Sequence, residues 1–171
     1  LASDDRQLYL HAHKNPESVR ALCSRLPNAT PIEADVRDSE QVGKAIATAA
    51  ERSGLDEVVY CVGINKTTAS VEETSEADWM DIMDVNLHGA FRVLRKALPL
   101  LKERKGRIVL VSSIFGVVAP PNRGAYAASK HALTGLVQTV AREHGDAVRI
   151  NAVCPGPVWG EHVERVFASH A

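Results

Sequence analysis

The amino-acid sequence predicts an α/β protein built on a doubly wound parallel sheet. Short apolar segments alternate with longer segments of helical period through all 171 residues. The short segments are rich in Val and Ile with little polar alternation, which is typical of parallel strands covered by helices on both faces. We therefore expect a single domain over residues 1–171, with any ligand bound at the carboxyl ends of the strands.

Five strands and four helices account for this alternation. The apolar runs predict strands at 7–12, 29–34, 57–62, 107–113 and 148–153. The segments of helical period predict helices at 15–26, 39–54, 75–106 and 124–145. Ser39 and Ser75 are candidate N-caps, and Gly54 and Gly145 stand where two of the helices are expected to end.

Overall charge and cysteine usage narrow the class of protein. Lys and Arg total 20 against 21 for Asp and Glu, a formal net charge of -1, so no overall field would attract nucleic acid or an anionic membrane. Cys23, Cys61 and Cys154 are odd in number and widely spaced, which indicates reduced thiols in the cytoplasm and no metal site. The sequence shows neither an apolar run of membrane-spanning length nor a signal-peptide pattern at its start.

Glycines recur at the predicted strand ends. Gly63, Gly116 and Gly156 each follow a strand, where the missing side chain lets the backbone approach a ligand closely. For any one of them the better explanation is that strand-to-helix turns commonly contain a glycine. Their recurrence at successive strand ends favours a shared binding edge.

Tyr126 and Lys130 form the most specific pair in the sequence. Positions i and i+4 share one face of a helix, and Pro120, Pro121 and Gly124 predict that this helix begins just before the tyrosine. A nearby ammonium and the positive end of the helix dipole both favour a phenolate, so we expect the pKa of Tyr126 to fall below its usual ~10. Such a tyrosine can act as a general acid or base. Spacing alone favours a simpler explanation, a surface pair in which the lysine stem covers the ring.

Two further features point to the same chemistry. The strand at 107–113 ends in Ser112 and Ser113, one of which faces the ligand edge and could hold a substrate oxygen, although alternation alone does not say which. Asn86 and Gly89 lie inside the long predicted helix, where each is less favourable than Ala. They predict either a functional distortion of the helix or a close helix crossing at Gly89.

These segments together resemble the short-chain dehydrogenase/reductase superfamily, especially the members near bacterial 3-oxoacyl-(acyl-carrier-protein) reductases. The likeness rests on Asn86 in DVNLHG, the serines of RIVLVSS, YAASK and INAVCPGPV, and it covers essentially the whole chain. It implies a Rossmann-like fold that lacks the family's first strand, with its Gly-rich loop, and the last strand. In the family a serine precedes the tyrosine of Tyr-x-x-x-Lys by thirteen residues, which selects Ser113 over Ser112.

The resemblance implies hydride transfer between a nicotinamide cofactor and a carbonyl or secondary alcohol. Tyr126 would exchange a proton with the substrate oxygen, Lys130 would lower the tyrosine's pKa and bind the nicotinamide ribose, and Ser113 would hold the substrate oxygen. Asn86 would keep open a helix turn that seats a water of a proton relay. Cofactor contacts are implied for Asp35, Val36, Gly63, Tyr126, Lys130, Pro155, Gly156 and Val158.

The end of the first predicted strand bears on the choice of cofactor. Rossmann proteins that prefer NAD commonly place an acidic residue at the end of their second strand, to which this strand corresponds, and it holds the ribose 2′-hydroxyl. The segment LHAHKN has none, and it offers His11, His13 and Lys14 instead. We therefore expect NADP(H) to be favoured over NAD(H), with Lys14 contacting the 2′-phosphate. Both histidines share a strand face, but no nearby carboxylate or thiol completes a metal site in the sequence.

The sequence also departs from the family pattern. The Gly-rich loop is absent, LASDD resembles the end of the helix that follows that loop, and YCVG at 60–63 replaces Asn-Asn-Ala-Gly, two amides of which brace the sheet. An alternative interpretation is therefore a non-catalytic fragment that acts as an oligomerisation or interaction module. A nucleotide-sugar epimerase or dehydratase with the same Tyr-x-x-x-Lys pair is disfavoured by DVNLHG. The resemblance implies a homo-oligomer, a dimer or tetramer, and the sequence does not identify the substrate.

Overall fold

The computed structural model describes residues 6–52 and 54–158. The expectations about LASDD and about the end of the domain fall outside these residues. The strands are β1 Leu8–Ala12, β2 Ala29–Glu33, β3 Glu57–Tyr60, β4 Arg107–Val111 and β5 Arg149–Val153. The helices are α1 Pro16–Cys23, α2 Ser39–Ala50, α3 Glu76–Met83, α4 Gly89–Glu103 and α5 Gly124–His144, with a π-helical turn at Asp84–His88 and a 3-10 turn at Ile114–Gly116.

Every strand pairing is parallel, and helices connect successive strands, which confirms the predicted fold class. β1 pairs with β2, and β4 lies between β3 and β5 in a second sheet. Tyr60 is opposite Leu110, and Val111 is opposite Val153. The carboxyl ends of β3, β4 and β5 therefore lie side by side and bring their following loops to one edge.

The two sheets follow the strand order of a doubly wound fold. Their pairings are those of the order 3-2-1-4-5-6, in which β2 and β1 would take the first two places and β3, β4 and β5 the last three. No strand of residues 6–52 and 54–158 takes the place of strand 1, which in that order lies between β1 and β3. Near this gap, Nη1 of Arg6 lies 3.2 Å from the carboxylate of Glu57.

The core lies between the larger sheet and the helices α2, α4 and α5. Ile108, Leu110 and Ile150 are buried in it, and each such side chain contributes about 1.5–3 kcal/mol to stability. Since successive strand residues point to opposite faces, Val59 and Val153 lie on the other face, where they are 47% and 50% exposed. Among the described residues, helices thus cover one face of this sheet rather than the expected two.

Helix termini follow local side-chain chemistry. Ser75 accepts a hydrogen bond from the Asp78 amide, which confirms it as the N-cap of α3. The N-cap of α2 is Asp38 and not Ser39, because its carboxylate accepts from the amides of Glu40 and Gln41. The single predicted helix over 75–106 is wrong in one respect, since the π turn at Asp84–His88 divides it into α3 and α4.

Candidate functional site

Tyr126 and Lys130 lie in the first two turns of α5, directly after the loop that follows β4. Nζ of Lys130 is 5.6 Å from the centre of the Tyr126 ring, so the two side chains occupy the same volume, as their spacing predicts. The ring of Phe115 meets Tyr126 edge to face, with 6.3 Å between centroids. The 3-10 turn after β4 therefore packs on one side of the tyrosine and the lysine lies on another.

Lys130 is buried, with 4% of its surface exposed, and so it is not a surface lysine lying over an aromatic ring. Its ammonium donates a hydrogen bond of 3.0 Å to the carbonyl of Val111, the last residue of β4. Burial lowers the pKa of Lys130, while the nearby Cys61 and Cys154 thiols oppose this shift. The cation is thus fixed at the carboxyl end of the central strand.

The structure distinguishes the two serines after β4. Ser112 is buried, and its hydroxyl donates to the backbone carbonyl of Lys130 at 2.9 Å. Ser113 is partly exposed, and its Oγ accepts from the Phe115 amide at 3.1 Å, a bond that does not use its hydroxyl proton. Ser112 therefore ties β4 to α5, and Ser113 is the serine with a proton available at the strand edge.

Asn86 lies in the π turn and is completely buried. Its Oδ1 accepts from the Ile64 amide at 2.7 Å, and its Nδ2 donates to the Ile64 carbonyl and to Oγ of Ser129, both at 3.0 Å. Ser129 in turn donates to the backbone carbonyl of Tyr126 at 2.7 Å. A continuous hydrogen-bonded path therefore joins the loop after β3 to the first turn of α5 through Asn86.

Gly63, in the loop after β3, lies beside Lys130 and Asn86. A Cβ atom added to it would lie 3.2 Å from Nζ of Lys130 and 3.4 Å from Oδ1 of Asn86. The backbone of the loop after β3 thus runs directly beside both polar groups. The structure brings together Gly63, Asn86, Tyr126 and Lys130, four residues that the sequence analysis selected from three separate segments.

A second group of charges lies at the carboxyl ends of β1 and β2. Asp35 accepts from Nε and Nη2 of Arg37, at 3.0 and 2.6 Å, and Nε2 of His13 is 3.5 Å from its carboxylate. The hydrogen bonds from Arg37 lower the pKa of Asp35 to about 2, against an ordinary value of 3.8. Lys14 is exposed in the loop after His13. The sequence analysis did not select Arg37, whose signal was a basic residue two positions after a strand-end aspartate.

The arginine belongs to a longer chain of ion pairs. Nη1 of Arg37 lies 3.3 Å from a carboxylate oxygen of Asp81 on α3, and Asp81 also pairs with Lys66. Hydrogen bonding from Lys66 lowers the pKa of Asp81. This network links the loops after β2 and β3 to helix α3.

The other residues with expected cofactor contacts have varied surroundings. Val36 is buried in the core against Gly89, so its side chain serves packing. The carbonyl of Pro155 accepts from the Ile114 amide at 2.8 Å, which places the loop after β5 beside the turn that contains Ser113. A Cβ atom on Gly156 would meet no atom of residues 6–52 and 54–158 within 4 Å, and Val158 is 70% exposed. Neither residue is therefore packed against the described part of the strand edge.

Tyr60 is a residue whose part in the site the sequence analysis missed. Its buried hydroxyl donates to the carbonyl of Val85 in the π turn at 2.8 Å. The sequence indicated that YCVG removes two bracing amides, whereas the structure shows that the tyrosine supplies a brace of its own. Its signal in the sequence was a tyrosine at the place where the family pattern has an asparagine.

No helix in the part of the chain that the structure describes is both long and apolar enough to cross a membrane. Within the same residues, no group of three or more His, Cys, Asp or Glu side chains is arranged to hold a metal ion. His11 and His13 have different partners, since Nε2 of His11 is 2.7 Å from the carbonyl of Ala34 and His13 faces Asp35.

Comparison with known proteins agrees with this architecture. A family model described as enoyl-(acyl carrier protein) reductase matches residues 1–170. A putative short-chain type dehydrogenase/reductase of Mycolicibacterium smegmatis is 40% identical over 143 residues, which are 81% of this chain and 50% of that protein. The chain thus spans about half the length of the curated relatives that it matches.

Solved structures show the same fold. A 3-ketoacyl-ACP reductase from Sinorhizobium meliloti 1021 superposes with a TM-score of 0.81 and 35% identity, over 86% of this chain and 62% of that one. ElxO with NADP bound superposes with a TM-score of 0.88 and 28% identity, over 97% and 69% of the respective chains. With the family model matching nearly its whole length, the chain belongs to the short-chain dehydrogenase/reductase superfamily.

Proposed function

We propose that the protein is an NAD(P)(H)-dependent oxidoreductase that transfers a hydride between nicotinamide and a carbonyl or secondary alcohol. The observation that carries this proposal is the position of Lys130. Its ammonium is held on the last carbonyl of β4, 5.6 Å from the Tyr126 ring, at the edge where a doubly wound fold binds ligands. A buried cation beside a phenol is suited to proton transfer at a substrate oxygen.

Each polar side chain at the edge has a proposed role. Tyr126 donates its phenolic proton to the substrate oxygen during reduction and takes it back during oxidation. Lys130 stabilises the negative charge that develops on the phenol oxygen, because its buried ammonium lies beside the tyrosine ring. Ser113 donates a hydrogen bond to the same substrate oxygen, since its hydroxyl proton is not used in the bond from Phe115.

Asn86 acts by holding the backbone open. All three of its side-chain hydrogen bonds are made to protein groups, so its amide has no further proton to give a ligand. We propose that the π turn, which this amide fixes, seats a water that continues the proton path behind Lys130. The path from Ile64 through Asn86 and Ser129 supports a catalytic function over an interaction module, because an oligomerisation module needs no such network.

The residues at both ends of the strand edge fit a dinucleotide. Gly63 brings backbone against Lys130, Gly156 leaves room for a Cβ atom among the described residues, and His13 and Arg37 lie beside Asp35 at the other end. When bound, the nicotinamide supplies or accepts the hydride. We propose NADP(H) as the preferred form, with Lys14 and the neighbouring Arg37 as partners of the 2′-phosphate. The NADP in the related ElxO structure supports a nicotinamide cofactor.

The substrate proposed here is a carbonyl compound with an apolar chain, and a 3-oxoacyl thioester is the leading candidate. Exposed apolar side chains flank the turn after Ser113 and the start of α5, namely Ile114, Val117, Val118 and Val71. Val71 lies close to Gly124, two residues before Tyr126. The likeness to a 3-ketoacyl-ACP reductase supports the same class.

Substitution of Tyr126 tests the proposal. In the complete natural protein, Tyr126→Phe should remove turnover of a 3-oxoacyl thioester by a factor of about 10² or more, because it deletes the proton donor. NADPH affinity, measured by fluorescence titration, should change little, since the ring and Lys130 both stay. Tyr9→Phe, on β1, is the matched control and should retain activity. Near-normal turnover by Tyr126→Phe would refute the assignment, and absence of binding of both NADPH and NADH by the unmodified protein would refute the function.

A further inference from the structure

Tyr60 ends β3 with a hydroxyl that is buried between the sheet and the π turn. The side chain is 3% exposed, and its hydroxyl donates to the carbonyl of Val85 at 2.8 Å. Burial raises the pKa of Tyr60 above its usual value. The phenol is therefore neutral at any physiological pH and is a permanent hydrogen-bond donor, not a group that exchanges protons during a reaction.

The acceptor of this bond is a carbonyl that the π turn deprives of its ordinary partner. In an α-helix the amide of Gly89 would donate to the carbonyl of Val85, four residues earlier. Here the Gly89 amide donates to Asp84, five residues earlier. The Tyr60 hydroxyl bonds the carbonyl that an α-helical turn would have used, so this bond favours the π turn over the α-helical alternative.

Gly89 provides the space for the phenol. A Cβ atom at this position would lie 2.5 Å from the Tyr60 hydroxyl oxygen and 3.0 Å from Cγ2 of Val36. No side chain fits there without displacing the tyrosine. Tyr60 and Gly89 are thus a matched pair, one filling the volume that the other leaves empty.

The π turn in turn determines where Asn86 points. The extra residue of a π turn rotates the chain between its two ends, and in this register the amide of Asn86 reaches both backbone groups of Ile64 and the hydroxyl of Ser129. An α-helical register would turn Asn86 away from Ile64. Both the bond from Tyr60 to Val85 and the bonds of Asn86 therefore require the π-helical register, and loss of that register would break them all.

From these contacts we infer that Tyr60 is a positioning residue: its hydroxyl holds the π turn in register and so fixes Asn86 beside the loop after β3. The catalytic consequence rests on the proposed function, in which Asn86 keeps open the turn behind Lys130. The structural consequence, a fixed Asn86, is independent of any activity.

Hydrogen exchange at one amide tests the structural consequence. The Ile64 amide donates to Asn86 at 2.7 Å, so its exchange rate reports the position of that side chain. In the complete natural protein, Tyr60→Phe should accelerate exchange at Ile64 by about fivefold to tenfold while Ile108 and Leu110 in β4 keep their rates. Tyr9→Phe is the control. Unchanged exchange at Ile64, or equal acceleration throughout the core, would overturn the inference.

A double-substitution cycle tests the matched pair. Gly89→Ala should lower the unfolding midpoint because its methyl group meets the Tyr60 hydroxyl, and this loss should be smaller when Tyr60→Phe has removed that oxygen. The remaining contact with Val36 leaves part of the loss in place. Strictly additive effects of the two substitutions would contradict the pairing.

Kinetics test the catalytic consequence. Tyr60→Phe should lower kcat for a 3-oxoacyl thioester by about tenfold to a hundredfold, leave KM for NADPH unchanged and shift the pH profile of kcat, because a proton path is misaligned while the cofactor residues are intact. A changed Ile64 exchange rate with unchanged kcat would refute the catalytic consequence alone. If the unmodified protein shows no turnover, the proposed function fails with it, and the exchange experiment still decides the structural consequence.

Discussion

Lys130 is a buried cation whose hydrogen bond goes to a backbone carbonyl. The Val111 carbonyl replaces only part of the hydration that the ammonium gives up, and the pKa of the lysine falls for that reason. An ammonium whose lost hydration is only partly replaced, at a strand edge lined by loops, is typical of groups that take part in a reaction. The arrangement is ready to stabilise an anion or a hydroxyl that arrives beside Tyr126.

Lys14 tests the choice of cofactor. Lys14→Glu should weaken NADPH binding by about tenfold or more and NADH binding much less, because it replaces an attractive charge near the 2′-phosphate by a repulsive one. Lys44→Glu, on the exposed face of α2, is a charge-matched control. Dissociation constants from fluorescence titration give the comparison. Equal weakening of both cofactors would exclude a 2′-phosphate contact by Lys14.

Asp35 has a pH-dependent effect on stability. Its folded-state pKa of about 2 lies below the ordinary value of 3.8, so its contribution is fully present above pH 3.8 and is lost as the pH falls toward 2. Solvent screening limits that contribution to on the order of 1 kcal/mol. Asp35→Asn should therefore lower the urea unfolding free energy at pH 7, and the difference from the unmodified protein should shrink below pH 4. Glu72→Gln should show no such trend; a constant difference would contradict the ion-pair explanation.

For individual residues, the sequence predicted the position of a side chain only where spacing along the chain determines it. Tyr126 and Lys130 share a helix face by periodicity, and the structure places them together. Ser112 and Ser113 could not be told apart from alternation, because the direction of each depends on how β4 meets α5. Arg37 was missed because its ion pair with Asp35 depends on the backbone conformation after β2, which the sequence does not specify.

The long segment from 75 to 106 was predicted as one helix and contains two. Asn86 and Gly89 marked a local conflict with helix propensity, and the structure shows both a π turn and a close approach at Gly89. The type of distortion could not be read from sequence, because it depends on Tyr60, which lies 25 residues away from Val85 along the chain. Propensity located the break, and a tertiary contact determined its form.

Two glycines in neighbouring elements should respond to Ala in opposite ways. A Cβ at Gly116 would lie 2.5 Å from Oγ of Ser112 and 2.8 Å from the Lys130 carbonyl, so Gly116→Ala should destabilise by about 1–3 kcal/mol. A Cβ at Gly135, inside α5, would meet nothing within 4 Å, so Gly135→Ala should stabilise by about 0.5–1 kcal/mol. Thermal or urea unfolding measures both. A neutral Gly116→Ala would mean that the turn after β4 yields easily.

Residues 6–52 and 54–158 follow the alternation of strands and helices that the sequence predicts, and all five strands within them lie where apolar runs indicate them. What the sequence could not provide is which strands pair and in which register, since pairing is a contact between segments far apart in the chain. The empty place between β1 and β3 fits the first strand that the family resemblance implies to be lacking, whereas propensity and periodicity alone do not indicate it.

Self-association is a property of the protein surface. We expect a homo-oligomer that uses the helices around the π turn, because Met80 and Phe91 expose 58% and 49% of their surfaces there. Phe91→Ser should weaken self-association by about tenfold or more in sedimentation experiments, whereas Leu22→Ser, on α1, should not. A monomeric unmodified protein would exclude this arrangement.

The hydrogen bonds of Asn86 limit the substitutions that position 86 would tolerate. Its amide presents one acceptor and two donors to fixed partners, and no other side chain of that size has the same pattern. Aspartate, which matches its shape, would set an oxygen against the carbonyl of Ile64, and leucine would deprive both the amide and the carbonyl of Ile64 of their partner. Variation among descendants of this chain should therefore spare position 86 for reasons of hydrogen-bond polarity, even in a lineage that had changed its substrate.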